Sequence, residues 1–175
     1  KTVGIAETAT FEELYNRVDK IEIKTANEIV NSLRVCDPAV GSGHFLVSAL
    51  NELILIKAEL GILADKNGKR LRDYEFTIEN DELIITDEHG LFVYNHLNKE
   101  SQRVQETIFG ERQTIIENCL FGVDINPDSV KICRLRLWIE LLKSSYYKAP
   151  GFTELETLPN IDINIKCGNS LISRY

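Results

Sequence analysis

Residues 35–46 read Val-Cys-Asp-Pro-Ala-Val-Gly-Ser-Gly-His-Phe-Leu, and their reading decides the fold. An apolar strand over Leu33–Cys36 stops at Asp37-Pro38, because proline lacks the backbone donor that a strand interior needs. Gly41 and Gly43 then let the chain turn sharply and bring backbone close to a ligand. The run beginning at Phe45 is apolar around its whole circumference for more than four helical turns, which predicts a helix buried against a sheet.

The same grammar recurs downstream. Cys119–Val123 is a second apolar strand ending at Asp124, followed by Asn126 as helix cap and Pro127 at the first helical position. The helix that follows carries a stripe of Val130, Cys133, Leu137 and Leu141, with Lys131, Arg134 and Glu140 off it. A third strand over about residues 161–166 leads to Gly168-Asn169-Ser170. Strands separated by helices imply right-handed crossovers and a parallel sheet. Ligands of open parallel sheets lie beyond the carboxyl ends of the strands, so Asp37, Asp124 and Asn169 are expected to converge on one site.

Between the first helix and the second strand lies the stretch 61–117, where acidic residues outnumber basic ones. It reads as a solvated insertion, a small antiparallel meander over residues 75–78, 83–86 and 91–94 followed by a helix over about 99–117. Upstream, Phe11, Leu14 and Val18, and again Ala26, Ile29 and Val30, have helical spacing within residues 7–31.

Length and composition set bounds. The 175 residues suit one domain with its own core, and 43% apolar with 27% charged residues describes a soluble globular chain. A net charge of −7 argues against a free-standing DNA-binding domain. No apolar run approaches the roughly 20 residues that span a bilayer, and no signal peptide opens the chain. Cys36, Cys119, Cys133 and Cys167 form no metal-like spacing and sit in apolar runs, which predicts small buried hydrophobes in a reducing, cytoplasmic setting. The chain starts at Lys1 and contains no methionine, which reads as a piece of a longer protein.

The chemistry of the three strand ends narrows the ligand. A dinucleotide fingerprint would place a third glycine where Leu46 stands, and a Walker loop would need Gly-Lys-Ser/Thr. A nucleotide-like ligand without a pyrophosphate fits instead, and S-adenosylmethionine is the candidate. Asp37 suits its ammonium through a charge-assisted bond. Asp124 offers two acceptors to paired ribose hydroxyls, Ile125 covers a face of the adenine, and the Asn169 carbonyl accepts from the adenine amino group. Each side chain also has a structural role open to it: both acids and Asn169 as caps or turn formers, and His44 as a first-turn residue. Asp81/Glu82 and Asp87/Glu88 read as turn residues, Trp138, Tyr146 and Tyr147 as packing, and Arg134 and Arg136 as helix flanks.

The motif DPAVGSGHFL resembles the first motif of amino-group DNA methyltransferases that modify adenine N6. LFGVDINPDSVKICRLRLWIELL and LPNIDINIKCGNSLI resemble the next segments in the methylase half of bifunctional type IIG/IIS restriction–modification enzymes, so the likeness spans about Val35–Ile56 and Leu120–Ile172. It implies an α/β, partial Rossmann-like methyltransferase fold over residues 1–175, with 61–117 inserted in its first crossover. Carried over by position, Asp37, Ala39, Gly41, Gly43, Phe45, Asp124, Ile125 and Asn169 would line an S-adenosylmethionine site, with no metal. Double-stranded DNA would be the parent protein's partner, in a prokaryotic cytoplasm.

There are departures. The family often has Asp where Asn169 stands, and no Tyr-Thr-Pro-like segment occurs in the first 34 residues. The acid follows the glycines only after the whole stretch 44–123, where a compact Rossmann unit needs about 20 residues. The family's catalytic Asn/Asp-Pro-Pro-Tyr/Phe loop is missing, since Asn126-Pro127 is followed by Asp128. The chain alone is therefore expected to hold no catalytic residue, to transfer no methyl group, to bind the cofactor at most weakly, and to expose an edge of its first strand that invites self-association. Two other readings stay open: a methyltransferase of RNA, protein or small molecules, and a non-catalytic nucleotide-binding or specificity module.

Overall fold

The computed structural model describes residues 22–148, 151, 154–156 and 163–171. In chain order these form α1 (Ile23–Asn31), β1 (Val35–Asp37), α2 (His44–Glu59), β2 (Glu75–Glu79), β3 (Glu82–Asp87), β4 (Gly90–Leu91), α3 (Lys99–Asn118), β5 (Leu120–Asp124), α4 (Pro127–Leu142) and β6 (Asn164–Cys167). The expected helical residues before Glu22 lie outside the described residues.

A parallel sheet of order β1-β5-β6 organises the molecule, with Asp37 level with Gly122 and Asp124 level with Cys167. This is the expected partial Rossmann-like α/β arrangement. Gly122 is required at the centre of the sheet, because a Cβ there would stand 2.9 Å from Val40 and 3.0 Å from Ile165. Leu46, Leu50 and Ile54 of α2, Ile115 of α3 and Leu137 of α4 are buried together over Leu120 and Ile165. Among the described residues β1 pairs with β5 alone, so its other edge carries no strand.

The second sheet, β2-β3-β4, is antiparallel. Its first turn is the two-residue pair Asn80-Asp81, both at positive φ (50° and 64°), the geometry a tight hairpin demands and these two residue types tolerate. The third strand is shorter than expected: only Gly90 and Leu91 pair with β3. Phe92 still donates its N–H to the Ile85 carbonyl at 2.8 Å, and its ring packs edge-on against Tyr74, 5.8 Å between ring centres.

The stretch 61–117 forms the expected meander and helix but is not solvated throughout. Its helix α3 supplies Val104, Ile108, Phe109, Ile115 and Ile116 to the common core. Several of its acidic residues are used in ion pairs: Glu111 binds the fully buried Lys57 of α2, and Arg103 binds Glu100 and Asp65. The Arg103 guanidinium holds the Glu100 carboxyl down to about 2.

Two expectations about α4 change. Glu140, placed off the apolar stripe by sequence, is buried, because Arg112 of α3 donates to both its backbone carbonyl and its carboxylate. Burial in turn lowers the Arg112 guanidinium from its ordinary value. Arg134 is not merely a flank, since its guanidinium donates to the Ile165 carbonyl and fastens α4 to β6.

The cysteines divide. Cys119 and Cys133 are buried as expected, whereas Cys36 and Cys167 are exposed: Cys36 alternates with the half-buried Val35 and Asp37, and Cys167 ends β6 two residues beyond the buried Ile165. Burial pushes the Cys133 thiol up to about 11, so it stays protonated and inert. Native alkylation is therefore expected to label Cys36 and Cys167 and spare Cys119 and Cys133 until denaturant is added, as read by peptide mass mapping.

Candidate functional site

The three strand ends meet through Asp124. Its Oδ2 accepts from the Gly41 N–H at 2.8 Å, its Oδ1 from the Asn126 N–H at 2.8 Å, and its backbone carbonyl from the Gly168 N–H at 2.9 Å. One residue thus ties the glycine loop after β1 to the loop after β6. Those two backbone donors hold the Asp124 carboxyl below the usual carboxylate range, so it is ionised at neutral pH.

Asp37 and Asn169 repeat the local geometry. Asp37 Oδ1 accepts from the Ala39 N–H at 3.0 Å, and Asn169 Oδ1 from the Leu171 N–H at 2.9 Å. Each of the three residues therefore forms the same turn to the residue two positions on, the structural role left open from sequence. Turn formation does not exhaust them, since an ionised carboxylate has about four acceptor positions.

The glycine loop is shaped by two opposite demands. Gly43, at φ +82°, lies against α4, and a Cβ there would stand 2.6 Å from Cys133 Sγ. Gly41, at φ +50°, faces open space, with nothing nearer its absent Cβ than Ala39 O at 4.0 Å. Side chains around this opening are apolar and uncovered: Phe45 is 55% and Ile125 72% exposed. All eight residues singled out from sequence thus sit at the carboxyl end of the parallel sheet, on the loops 37–45, 124–125 and 168–171.

Sequence reasoning missed what holds α2 in place beside the loop. The β2–β3 hairpin turn leans on its first turns: Asp81 Oδ2 lies 3.4 Å from His44 Nε2, Ser48 Oγ donates to Asp81 Oδ1 at 3.3 Å, and Asn51 Nδ2 donates to the Asp81 carbonyl at 2.7 Å. The only signal in the sequence is the Asn80-Asp81 turn pair, which predicts a hairpin but not what it touches.

Residues 11–174 match the family described as MmeI, DNA-methyltransferase domain. A protein of Methanocaldococcus jannaschii, provisionally named type II restriction enzyme and methyltransferase RM.MjaORFECS2P, is 34% identical over 169 residues, which is 94% of this chain and 11% of that protein. The type II restriction enzyme and methyltransferase RM.Eco57I of Escherichia coli is 28% identical over 149 residues, 85% of this chain and 12% of its own length. The chain thus spans about a tenth of the length of the curated relatives it matches. With a family match over nearly its whole length, the chain belongs to the MmeI-type DNA-methyltransferase domains of type II restriction–modification enzymes.

Proposed function

We propose that the loops at the carboxyl ends of β1, β5 and β6 bind S-adenosylmethionine, and that the chain is the cofactor-binding portion of an adenine-N6 DNA methyltransferase acting on double-stranded DNA. The observation that carries this is the Asp124 hub, an ionised acceptor fixed by the loops on either side of it. The residues fit the ligand. Asp124 retains acceptor capacity for two ribose hydroxyls, and Asp37 retains a carboxylate oxygen for an ammonium. Ile125 and Phe45 offer uncovered apolar surface to an adenine and its linker, and the open side of Gly41 admits a ligand against bare backbone. Asn169 would accept from the adenine amino group. When bound, S-adenosylmethionine supplies an electrophilic sulfonium methyl group; the work of these side chains is to hold and orient it.

In this reading the catalytic loop belongs to another part of the protein. Asn126-Pro127, the one Asn-Pro in the chain, is committed to capping α4, where Asn126 Oδ1 accepts from the Asp128 N–H at 2.9 Å. Titration calorimetry with S-adenosylhomocysteine is expected to give binding by the wild-type chain and at least about a tenfold loss in Asp124→Ala, which removes a charge-assisted acceptor. Equal affinities would overturn the site. The chain alone is expected to transfer no labelled methyl group to mixed-sequence DNA, and clear turnover would refute the division of labour. The edge of β1 that pairs with no strand among the described residues is expected to make the chain self-associate, seen as a scattering mass that rises with concentration.

A further inference from the structure

Helix α4 is apolar on two opposite faces. One, with Val130, Cys133, Leu137 and Leu141, is buried in the core. The other carries Ile132, Leu135, Ile139 and Leu142, with Trp138 beside them, all between 38% and 57% exposed. Their 3-4-3 spacing is that of a heptad seam, with isoleucine at both a positions and leucine at both d positions, the combination that favours pairing with a single helix. The e and g positions flanking it hold Lys131, Arg136, Trp138 and Lys143, three bases and no acid.

We infer that this seam docks one amphipathic helix with acidic residues beside its apolar stripe. A second copy of the chain is disfavoured, because pairing two such seams sets base against base. The existing partners of the bases do not compete strongly. Lys131 binds Asp128 across an exposed turn, a pair of small worth, and Arg136 forms no hydrogen bond or ion pair among the described residues. Lys143 bridges Glu140 and Glu82 yet remains partly exposed at the seam's end. From Ile132 to Leu142 the seam is only about 16 Å long at 1.5 Å per residue, too short to hold a free helix tightly. A tethered one binds far better, and proteins of the relatives' length have ample further chain to supply it.

Trp138 is the only tryptophan of the chain and lies at the seam, so its emission reads occupancy directly. The probe is a synthetic peptide of about three heptads with isoleucine at a, leucine at d and glutamate at e and g, compared with its lysine-flanked counterpart. Saturable blue-shifting and shielding from acrylamide are expected with the glutamate peptide, at an affinity on the order of tenfold above that of the lysine peptide. Ile139→Asp should abolish the response with an unchanged melting transition, and Arg136→Glu should weaken the glutamate peptide while sparing the apolar seam. Equal response to both peptides would overturn the inference. So would a response to anionic vesicles alone, or Trp138 burial that tracks self-association. Emission already shifted and shielded in the free chain would place a segment of this same chain on the seam, and would equally overturn it.

Discussion

Gly43→Ala is expected to cost about 2–4 kcal/mol of folding stability, measured by urea unfolding. Two independent penalties meet at this position. The backbone sits at φ +82°, a left-handed conformation that a side chain strains. The added Cβ would also lie 2.6 Å from Cys133 Sγ and 3.1 Å from the Cys133 Cα, so α4 itself must retreat. Removing the sulfur separates the two: in a Cys133→Ala background the same substitution should cost about 1 kcal/mol less, a coupling typical of touching residues. Gly41→Ala is the contrasting control. It carries a positive φ as well, but its Cβ would enter open space, so only the backbone penalty of about 1 kcal/mol or slightly more applies. Its larger effect should fall on S-adenosylhomocysteine affinity, because that open space is where the proposed ligand lies. Equal stability losses for the two alanines, or no coupling to Cys133, would show that the loop is not pressed against α4.

The contrast between these glycines marks how far sequence reading reaches. That Gly41 and Gly43 shape a strand-to-helix turn is legible locally, as is the capping of α4 by Asn126 and Pro127, because both depend on neighbours a few residues away. That Gly43 yields to Cys133 while Gly41 faces open space is not, since it depends on which helix crosses the loop. The same limit explains the rest. Cys36 and Cys167 stand in apolar runs, but only the tertiary packing around each strand tells that both are wet. Glu140 looked like a surface residue because its partner Arg112 lies on a different helix. The acidic excess of 61–117 suggested solvation, whereas its partners are supplied from outside the stretch as well as within it, Lys57 from α2 and Lys143 from α4. Convergence of Asp37, Asp124 and Asn169 was legible because a parallel sheet leaves strand ends no other place to go. That Asp124 also clasps Gly41 was beyond reach.

Lys57 and Glu111 supply the other large effect. Lys57 is fully buried on α2 with its ammonium on the Glu111 carboxylate of α3, while the Glu111 side chain keeps 15% of its surface in water. The pair is therefore lopsided, and its two truncations should differ. Glu111→Ala strands a buried ammonium away from solvent and is expected to cost about 3–5 kcal/mol. Lys57→Met replaces the ammonium with apolar bulk and leaves a carboxylate that can turn toward water, so a loss of about 1–2 kcal/mol is expected. The double variant Lys57→Met/Glu111→Leu should recover most of the stability lost in Glu111→Ala, because no charge remains to desolvate. Urea unfolding of the three variants decides the matter; a Lys57→Met loss exceeding that of Glu111→Ala would mean the pair is held by packing of the lysine stem, not by its charge. The consequence reaches the site. Helix α2 is gripped at its start by Asp81 and near its end by Glu111, both from the stretch between α2 and β5. A variant that loosens only the Glu111 grip should leave the glycine loop fastened to Asp124, and so lower stability more than ligand affinity.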